Sequence, residues 1–264
     1  MKIKAGLFQF APSFGDISRN VDRALATLAS ASADLIVLPE LFSTGYQFTS
    51  IEEARDLAEE VPSGLTTQRL ADFSHERSAF IAAGIAERDG DRIFNSAFLT
   101  GPEGYIGVYR KTHLFHEEKL WFSPGDTGFR VWDTTIGRLG VMICFDWFFP
   151  ESARTLSLMG ADIIAHPANL VLPFCPDAMV TRCLENRVFA ITANRTGSEE
   201  RGGRERLDFI GTSQITSCRG KILARASRDG EEYIEAEMDP AEAQDKQLNR
   251  YNNLFADRRP EKYR

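Results

Sequence analysis

Apolar residues along this chain follow two kinds of pattern. Short continuous apolar runs, such as residues 35–39 and 139–144, are typical of buried strands. Apolar residues at helical spacing, such as Val21, Ala24 and Leu28, are typical of amphipathic helices. The patterns predict strands over residues 3–10, 35–39, 79–86, 96–100, 105–110, 139–144, 162–166, 189–194, 208–216, 222–226 and 233–238. They predict a helix after Ser18, a possible N-cap, and helices near residues 52–60, 65–77, 150–159 and 177–187, with Pro240 in the first turn of a last one.

The order of these elements indicates how the chain is organised. Strands and helices alternate without a linker, which predicts one α/β domain over residues 1–264, with strands in sheets covered by helices. Residues 197–206 are rich in Gly, Glu and Arg and are expected to form an exposed, mobile loop. From about residue 249 to residue 264 the chain is polar with isolated aromatic residues, which indicates a C-terminal tail.

Three of the predicted strands lead to residues that can take part in covalent catalysis. Glu40 follows the run 35–39, Lys111 follows the run 105–110, and Cys144 closes the run 139–144 just before a predicted helix. Nucleophiles of α/β enzymes commonly lie at such a turn, after the C-terminal end of a buried strand. A thiol, a carboxylate and an ammonium group from three strands therefore form a candidate covalent-hydrolase site.

Composition and charge exclude several classes of protein. The 264 residues carry a formal net charge of −7 with scattered Lys and Arg, which argues against a nucleic-acid-binding surface. No apolar run is long enough to span a membrane, and the first residues lead into a strand rather than a signal peptide. Cys144, Cys175, Cys183 and Cys218 have no regular spacing, so no disulfide framework is expected. We therefore expect a cytoplasmic protein with neither a nucleic-acid nor a membrane partner.

The three strand ends also carry a family resemblance. Residues 38–42 (Leu-Pro-Glu-Leu-Phe), 109–115 (Tyr-Arg-Lys-Thr-His-Leu-Phe) and 140–146 (Gly-Val-Met-Ile-Cys-Phe-Asp) resemble the signatures of the nitrilase superfamily of carbon–nitrogen hydrolases. All three motifs occur in order, and the similarity is strongest to small archaeal-type nitrilases. The resemblance implies a four-layer α-β-β-α sandwich. It also implies that the C-terminal tail crosses to a partner subunit in a homodimer or higher homo-oligomer.

The resemblance implies a role for each residue at the strand ends. Cys144 is the nucleophile, and Glu40 is the general base that takes the thiol proton and later activates water. Lys111, together with the backbone N–H of Phe145, holds the negative charge that develops during attack. The charge of Lys111 is also expected to favour the thiolate form of Cys144, and hence faster alkylation of this cysteine than of the other three.

Further candidates lie near these motifs. Glu118, seven residues beyond the lysine, matches a second family carboxylate that positions substrate and supports the lysine, although Glu117 beside it is an alternative. Asn169 follows a predicted strand end and is a candidate for contact with substrate through its side chain or backbone. Asp146 and Glu151 are expected to hold the turn around the nucleophile.

Other enzyme classes are less well supported. No G-x-S-x-G elbow and no Gly-rich phosphate loop occurs, and His113 with His116 lacks a third metal ligand, so neither a metal nor a cofactor is expected. A protease-like pair of Cys144 with His166, supported by Asn194, leaves the carboxylate and the lysine unexplained. A non-catalytic protein that has kept the fold, or an ammonia-supplying subunit of a synthetase, remains open.

The leading hypothesis is hydrolysis of a small aliphatic nitrile to a carboxylic acid and ammonia, through a thioimidate and a thioester. The alternative is an amidase (an ω-amidase or a carbamoyl amidase) that uses the same Glu-Lys-Cys site. Family members that act on carbamoyl amino acids or ω-amides tend to carry an Arg shortly after the cysteine. Residues 145–149 here are Phe-Asp-Trp-Phe-Phe, which favours a small neutral substrate.

Overall fold

A computed structural model describes residues 1–263 of the chain. Most of the strands form two six-stranded sheets, and a short hairpin lies outside them. The strands are β1 (Ile3–Gln9), β2 (Leu35–Val37), β3 (Phe80–Asp89), β4 (Arg92–Gly101), β5 (Gly104–Arg110), β6 (Val131–Thr134), β7 (Gly137–Val141), β8 (Ile163–Pro167), β9 (Phe189–Ala193), β10 (Ser198–Glu199), β11 (Leu207–Asp208), β12 (Gln214–Thr216), β13 (Ile222–Arg225) and β14 (Glu232–Met238).

Most of the helices lie between strands in the sequence, and two short ones follow the last strand. They are α1 (Ile17–Leu28), α2 (Ile51–Leu57), α3 (Leu65–Arg77), α4 (Glu118–Trp121), α5 (Pro150–Leu158), α6 (Cys175–Asn186) and α7 (Ala241–Gln244), with 3-10 helices at Cys144–Phe148 and Pro260–Lys262. Pro150 begins α5, where a residue without an N–H leaves no hydrogen bond unmade.

Each sheet has three parallel strands at its centre. The first sheet has the order β14-β1-β2-β3-β4-β5, and the second has the order β13-β12-β9-β8-β7-β6. In the first, β1, β2 and β3 are parallel; in the second, β7, β8 and β9 are parallel; the outer strands pair antiparallel. Within each sheet, the C-terminal ends of the parallel strands lie at one edge, where active sites of α/β proteins are commonly found. The segment after β2 lies at this edge of the first sheet, and the segment after β7 lies at this edge of the second.

The two sheets face each other and helices cover their outer faces. Helices α1 and α3 pack against the first sheet through an apolar cluster that includes Val21, Leu28 and Leu70. Helices α5 and α6 pack against the second sheet, and the core between the sheets includes residues of both, for example Leu7 of β1 and Val141 of β7. The predicted α-β-β-α sandwich is therefore confirmed.

The element boundaries differ from the predictions at a few points. Asp16, not Ser18, caps α1 by accepting a hydrogen bond from the backbone N–H of Arg19 at 3.2 Å, so the helix begins two residues earlier than the apolar pattern indicated. The strand predicted over residues 139–144 ends at Val141, because the chain turns into a 3-10 helix at Cys144. Residues 197–206, predicted as an exposed loop, contain β10, which pairs antiparallel with β11.

The C-terminal segment packs partly on its own chain. The guanidinium carbon of Arg154 lies 5.5 Å from the centre of the Phe255 ring, and Nζ of Lys246 lies 5.0 Å from it. Tyr251 and Tyr263 remain exposed, and Arg264, the last residue of the predicted tail, lies outside the described residues. Within the described part of the chain, no helix is long and apolar enough to cross a membrane.

A glycine allows the first sheet to carry Glu40 at close range. A Cβ atom on Gly84 would lie 2.4 Å from the Cα of Glu40 and 2.7 Å from the backbone nitrogen of Leu41. Both are backbone atoms, so the segment after β2 would have to move. Any side chain at this position in β3 would therefore displace Glu40.

Gly84→Ala is expected to lower the free energy of unfolding by about 1–3 kcal/mol, the usual cost of overpacking a close-packed interior. The measurement is chemical denaturation of the variant. The matched control is Gly6→Ala in β1 of the same sheet, where the nearest atom is the hydroxyl oxygen at the end of the Tyr233 side chain, 2.5 Å away, which can move. Equal stability of both variants and the parent would contradict the close approach.

Candidate active site

Three charged side chains are in contact in the interior of the protein, those of Glu40, Lys111 and Glu118. Glu40 follows β2, Lys111 directly follows β5, and Glu118 begins α4. Glu40 and Lys111 are fully buried, and Glu118 is 3% exposed. Buried charges are stable only when they are paired and hydrogen-bonded, so the contacts among these three side chains determine whether the site can exist.

The ammonium group of Lys111 lies between the two carboxylates. Its Nζ donates to Oε1 of Glu40 at 2.6 Å and to Oε1 and Oε2 of Glu118 at 2.7 and 2.8 Å. Burial lowers the pKa of Lys111, but the negative charges of Glu118 and Glu40 outweigh it, so the pKa is raised and the side chain stays protonated.

One oxygen of Glu40 has no partner. Its Oε1 accepts from Nζ of Lys111 and from Nδ2 of Asn95, the latter at 2.7 Å. Its Oε2 is buried and makes no hydrogen bond. A buried carboxylate oxygen without a donor is costly, and it is available to accept a proton. No sequence pattern pointed to Asn95, because its contact with Glu40 spans 55 residues and joins β4 to the segment after β2.

The geometry distinguishes between the two adjacent carboxylates. Glu118 contacts Lys111 and also accepts from the hydroxyl group of Tyr46 at 2.7 Å. Glu117 instead pairs with the guanidinium group of Arg204, away from the lysine. Burial raises the pKa of Glu118 to about 7, with Lys111 opposing the shift. Glu118 is therefore the carboxylate that belongs to the buried cluster.

Cys144 lies at a strained turn. Its φ angle of +39° is in the left-handed region, which is costly for a residue with a side chain and is often found at functional sites. Asp146 holds this turn, because its Oδ2 accepts from the backbone N–H of Ile143 at 2.9 Å and from the Tyr109 hydroxyl at 2.8 Å. Its Oδ1 accepts from His113. Of the two residues predicted to hold the turn, Asp146 does so, whereas Glu151 lies exposed in α5.

The Cys144 thiol is neutral at rest. Burial raises its pKa well above the ordinary value, Glu40 raises it further, and the opposing charge of Lys111 is the smaller effect. Lys111 lowers the pKa of the thiol, which is the direction predicted from the sequence, but burial and the charge of Glu40 outweigh it. The backbone N–H of Asn169 also lowers the pKa of the thiol, and its effect is smaller than those of the charged groups.

The protease-like pair predicted as an alternative is not formed. Nε2 of His166 donates to the backbone carbonyl of Cys144 at 3.0 Å rather than contacting the sulfur, and Nδ1 lies 3.1 Å from the hydroxyl of Thr192. Burial lowers the pKa of His166 to about 4, so the ring is neutral. Asn194 contacts backbone groups of Leu170 and Gly211 instead of the histidine. His166 therefore supports the nucleophile turn.

Two adjacent cavities lie near the nucleophile; we call the small one, which Cys144 lines, the inner cavity, and the larger one the outer cavity. The inner cavity has a volume of about 10 Å³, the room that about one water molecule needs. The outer cavity, of about 330 Å³, shares Phe115 and Val171 with it. The inner lining comprises Phe115, Cys144, Phe145, Trp147, Asn169, Leu170, Val171 and Leu172. The outer lining adds Tyr46, Gln47, His116, Glu117, Arg204, Glu205 and Leu207.

The predicted pocket residues Phe145 and Asn169 both line the inner cavity. Asn169 is 3% exposed, and neither its Oδ1 nor its Nδ2 has a hydrogen-bond partner. Because such groups are rarely left unsatisfied, the side chain is suited to bind a polar group that enters the cavity.

Cations are scarce in these linings. Arg204 is the one Arg or Lys among the residues that line the two cavities, and Glu117 offsets its charge. Arg182 pairs with Glu185, and the buried Arg195 pairs with Glu199.

The two histidines of the H-x-x-H pattern do not form a metal site. Nδ1 of His113 bonds to Asp146 at 2.7 Å, and the ring stacks on Phe149 at 3.8 Å between centroids. His116 lies exposed at the outer cavity. Across residues 1–263, no group of three or more His, Cys, Asp or Glu side chains is arranged to hold a metal ion.

Comparisons with known proteins agree with this fold. The family model described as carbon-nitrogen hydrolase matches residues 4–247. A protein of Pyrococcus abyssi named "Nitrilase" is 50% identical over 264 residues, which cover 99% of both chains. An (R)-stereoselective amidase of Pseudomonas sp. is 33% identical, with 91% of this chain and 87% of the amidase covered. The crystal structure of a carbon-nitrogen hydrolase of Helicobacter pylori superposes with a TM-score of 0.90 at 27% identity, covering 100% of this chain and 97% of that one.

The fold, which holds a buried Glu-Lys-Glu cluster beside a cysteine, is that of the nitrilase superfamily. The chain belongs to the carbon–nitrogen hydrolase family, and it is an enzyme of that class, similar to both nitrilases and amidases.

Glu118→Gln is expected to lower kcat by about a hundredfold or more, the usual effect of removing one electrostatic group from a buried active site. The matched control is Glu117→Gln, which removes only the partly exposed pair with Arg204 and should leave kcat within about fivefold of the parent. The measurement is ammonia release at saturating substrate. A larger loss in the Glu117 variant would show that the wrong carboxylate has been assigned to the cluster.

Proposed function

We propose that this enzyme hydrolyses a small neutral nitrile to a carboxylic acid and ammonia, with Cys144 as the nucleophile. The observation that carries the proposal is the unpartnered Oε2 of Glu40, in a buried cluster whose charges act on the Cys144 thiol. A neutral thiol needs a base at the moment of attack, and a carboxylate oxygen without a donor can serve as that base.

The first step moves a proton within the site. The thiol proton passes to Glu40 as the sulfur forms a bond to the nitrile carbon, so that no free thiolate has to exist in the buried site. Negative charge develops on the nitrile nitrogen, where Lys111 and the backbone N–H of Phe145 stabilise it. The proton held by Glu40 then passes to this nitrogen, and the product is a thioimidate on Cys144.

The later steps use two water molecules. Glu40 takes a proton from the first water as it adds to the thioimidate carbon, and passes this proton to the nitrogen. The hydroxyl proton then moves through Glu40 to the same nitrogen as the carbonyl forms and the carbon–nitrogen bond breaks, so ammonia leaves and the carboxylate is free again. The resulting thioester is attacked by a second water that the same carboxylate activates, which releases the acid and restores the thiol. Glu118 acts throughout by holding Lys111 in place.

A small amide is a second candidate substrate, and one observation favours it. Both polar atoms of the Asn169 side chain are buried without partners. A carboxamide has an NH2 group that donates and a carbonyl oxygen that accepts, which match this side chain, whereas a nitrile offers only an acceptor. An amide would reach the same thioester through a tetrahedral oxyanion. The names of the relatives divide in the same way, into nitrilase and amidase.

We also propose that the enzyme works as a homodimer or higher homo-oligomer in the cytoplasm, with residues from about 249 onward crossing to a partner subunit. In support, Leu248, Tyr251 and Tyr263 expose between 51% and 78% of their surface at this end of the single chain. Sedimentation of the full chain and of a chain shortened before residue 249 tests the role of the tail, since both sedimenting at the same size would contradict it.

Brief exposure of the enzyme to a panel of small nitriles and amides should leave a covalent adduct on Cys144 that intact-mass spectrometry detects. A nitrile should give both the thioimidate and the thioester masses, and an amide only the thioester. Cys144→Ala should give no adduct and no turnover, whereas the matched control Cys218→Ala should give both. Turnover by the Cys144 variant would end the proposal.

Neutral substrates should be preferred to their carboxylate-bearing counterparts. Because Glu117 already offsets the charge of Arg204, a carboxylate bound in these cavities would lack a free cation, and an unpaired buried charge costs several kcal/mol. The measurement is kcat/KM for ammonia release across pairs of compounds that differ only in a terminal carboxylate. Preference for the carboxylate-bearing members would mean that Arg204 leaves Glu117 to bind them.

A further inference from the structure

The hairpin of β10 and β11 is anchored in the interior through Glu199. This residue is 7% exposed, although the surrounding sequence is polar and rich in Gly, Glu and Arg. Its carboxylate accepts from the backbone N–H of Gln47 at 2.6 Å and from that of Tyr46 at 3.1 Å. The hairpin is therefore attached to the segment that follows Glu40.

A buried cation holds the Glu199 carboxylate in turn. Arg195 is 1% exposed and pairs with Glu199. The guanidinium carbon of Arg195 lies 4.0 Å from the centre of the Phe209 ring, and that ring meets the ring of Tyr46 edge-on with centroids 5.9 Å apart. The same group of residues thus fixes both the backbone and the ring of Tyr46.

Tyr46 connects this anchor to the catalytic cluster. Its hydroxyl group donates to Oε1 of Glu118, the same oxygen that accepts from Nζ of Lys111. Burial, followed by the charge of Glu118, raises the pKa of Tyr46, so the hydroxyl remains a donor. Glu118 thus has two side-chain donors, and only one of them is the lysine.

We propose that Glu199, held by Arg195, positions Tyr46 so that its hydroxyl group fixes Glu118 and, through it, Lys111. Tyr46 and Glu199 are positioning residues, since neither is required to touch the reacting atoms. The proposal rests on the proposed function, because Lys111 must be held where charge develops during attack on the substrate.

The Tyr46 hydroxyl group should affect the pH dependence of the reaction. A hydrogen bond to a carboxylate favours the charged form, and the one from Tyr46 lowers the pKa of Glu118 against the effect of burial. Loss of the hydroxyl should therefore raise this pKa. The carboxylate that holds Lys111 would then be lost at a higher pH, and the acid limb of the activity profile should move upward.

The test compares Tyr46→Phe with a matched control, Tyr233→Phe. The Tyr233 hydroxyl also donates to a carboxylate, that of Glu235 at 3.1 Å, but on β14 and outside both cavities. Tyr46→Phe should lower kcat by about ten- to a hundredfold, the usual value of a hydrogen bond to a charged group, with little change in KM and an acid limb at higher pH. The control, Tyr233→Phe, should match the parent in kcat, in KM and in the pH of the acid limb. An unchanged kcat and acid limb in Tyr46→Phe would overturn the proposal.

A second variant tests the anchor. Glu199→Gln should change kcat and the acid limb in the same direction as Tyr46→Phe, and the double variant should be little worse than Tyr46→Phe alone, because both act through one contact. If Glu199→Gln does not fold because Arg195 is left as an unpaired buried charge, the Arg195→Gln/Glu199→Gln pair replaces it. Additive losses would mean that the anchor does not act through Tyr46.

Adduct detection on the parent enzyme distinguishes a failure of this positioning proposal from a failure of the proposed function. A thioester on Cys144 of the parent together with unaffected Tyr46→Phe kinetics would overturn the positioning role alone. Turnover by the parent without any adduct on Cys144 would instead overturn the proposed function.

Discussion

Lys111 carries a positive charge at a point that solvent does not reach, and much of the surrounding structure serves to hold it there. Taking an ammonium group out of water costs several kcal/mol, and only paired charges and hydrogen bonds offset that cost. Glu40 and Glu118 supply them, on segments that follow β2 and β5. Because the lysine has two carboxylate partners, the cluster carries an excess negative charge when all three groups are ionised. This excess negative charge disfavours ionisation of the nearby Cys144 thiol.

The excess negative charge and burial together keep the Cys144 thiol protonated. A preformed thiolate would add another negative charge to an already negative cluster, whereas transfer of the thiol proton to Glu40 during attack leaves the total unchanged. The strained turn at Cys144, fixed by Asp146 and by the donated hydrogen bond from His166, presents the sulfur without requiring it to ionise first. The nucleophile is thus activated by the arrival of substrate rather than by a lowered pKa.

The sequence predicted the parts of this arrangement that local patterns encode. Apolar runs located the strands, and the residues just beyond them, Glu40 and Lys111, are the ones that meet in the structure. Asn95 and Tyr46 carried no such signal, because neither residue directly follows a predicted apolar run, and their contacts with the carboxylates depend on how the sheets and loops pack.

Composition led to a wrong prediction where a few buried contacts determine the local structure. The polar segment around Glu199 was predicted to be a mobile loop, yet the Glu199 carboxylate pairs with the buried Arg195. The net shift of the Cys144 pKa could not be predicted either, since the sequence shows which charges are present but not how deeply each is buried.

The ionisation of Cys144 in the resting enzyme tests this account most directly. The measurement is the ultraviolet absorbance of the thiolate, taken as the difference between the parent enzyme and Cys144→Ala while the pH is raised. The account predicts no thiolate signal up to about pH 8.5, where an ordinary cysteine is already half ionised. A thiolate signal that is already complete near neutral pH would contradict it, and would mean that Lys111 rather than burial determines the state of the nucleophile.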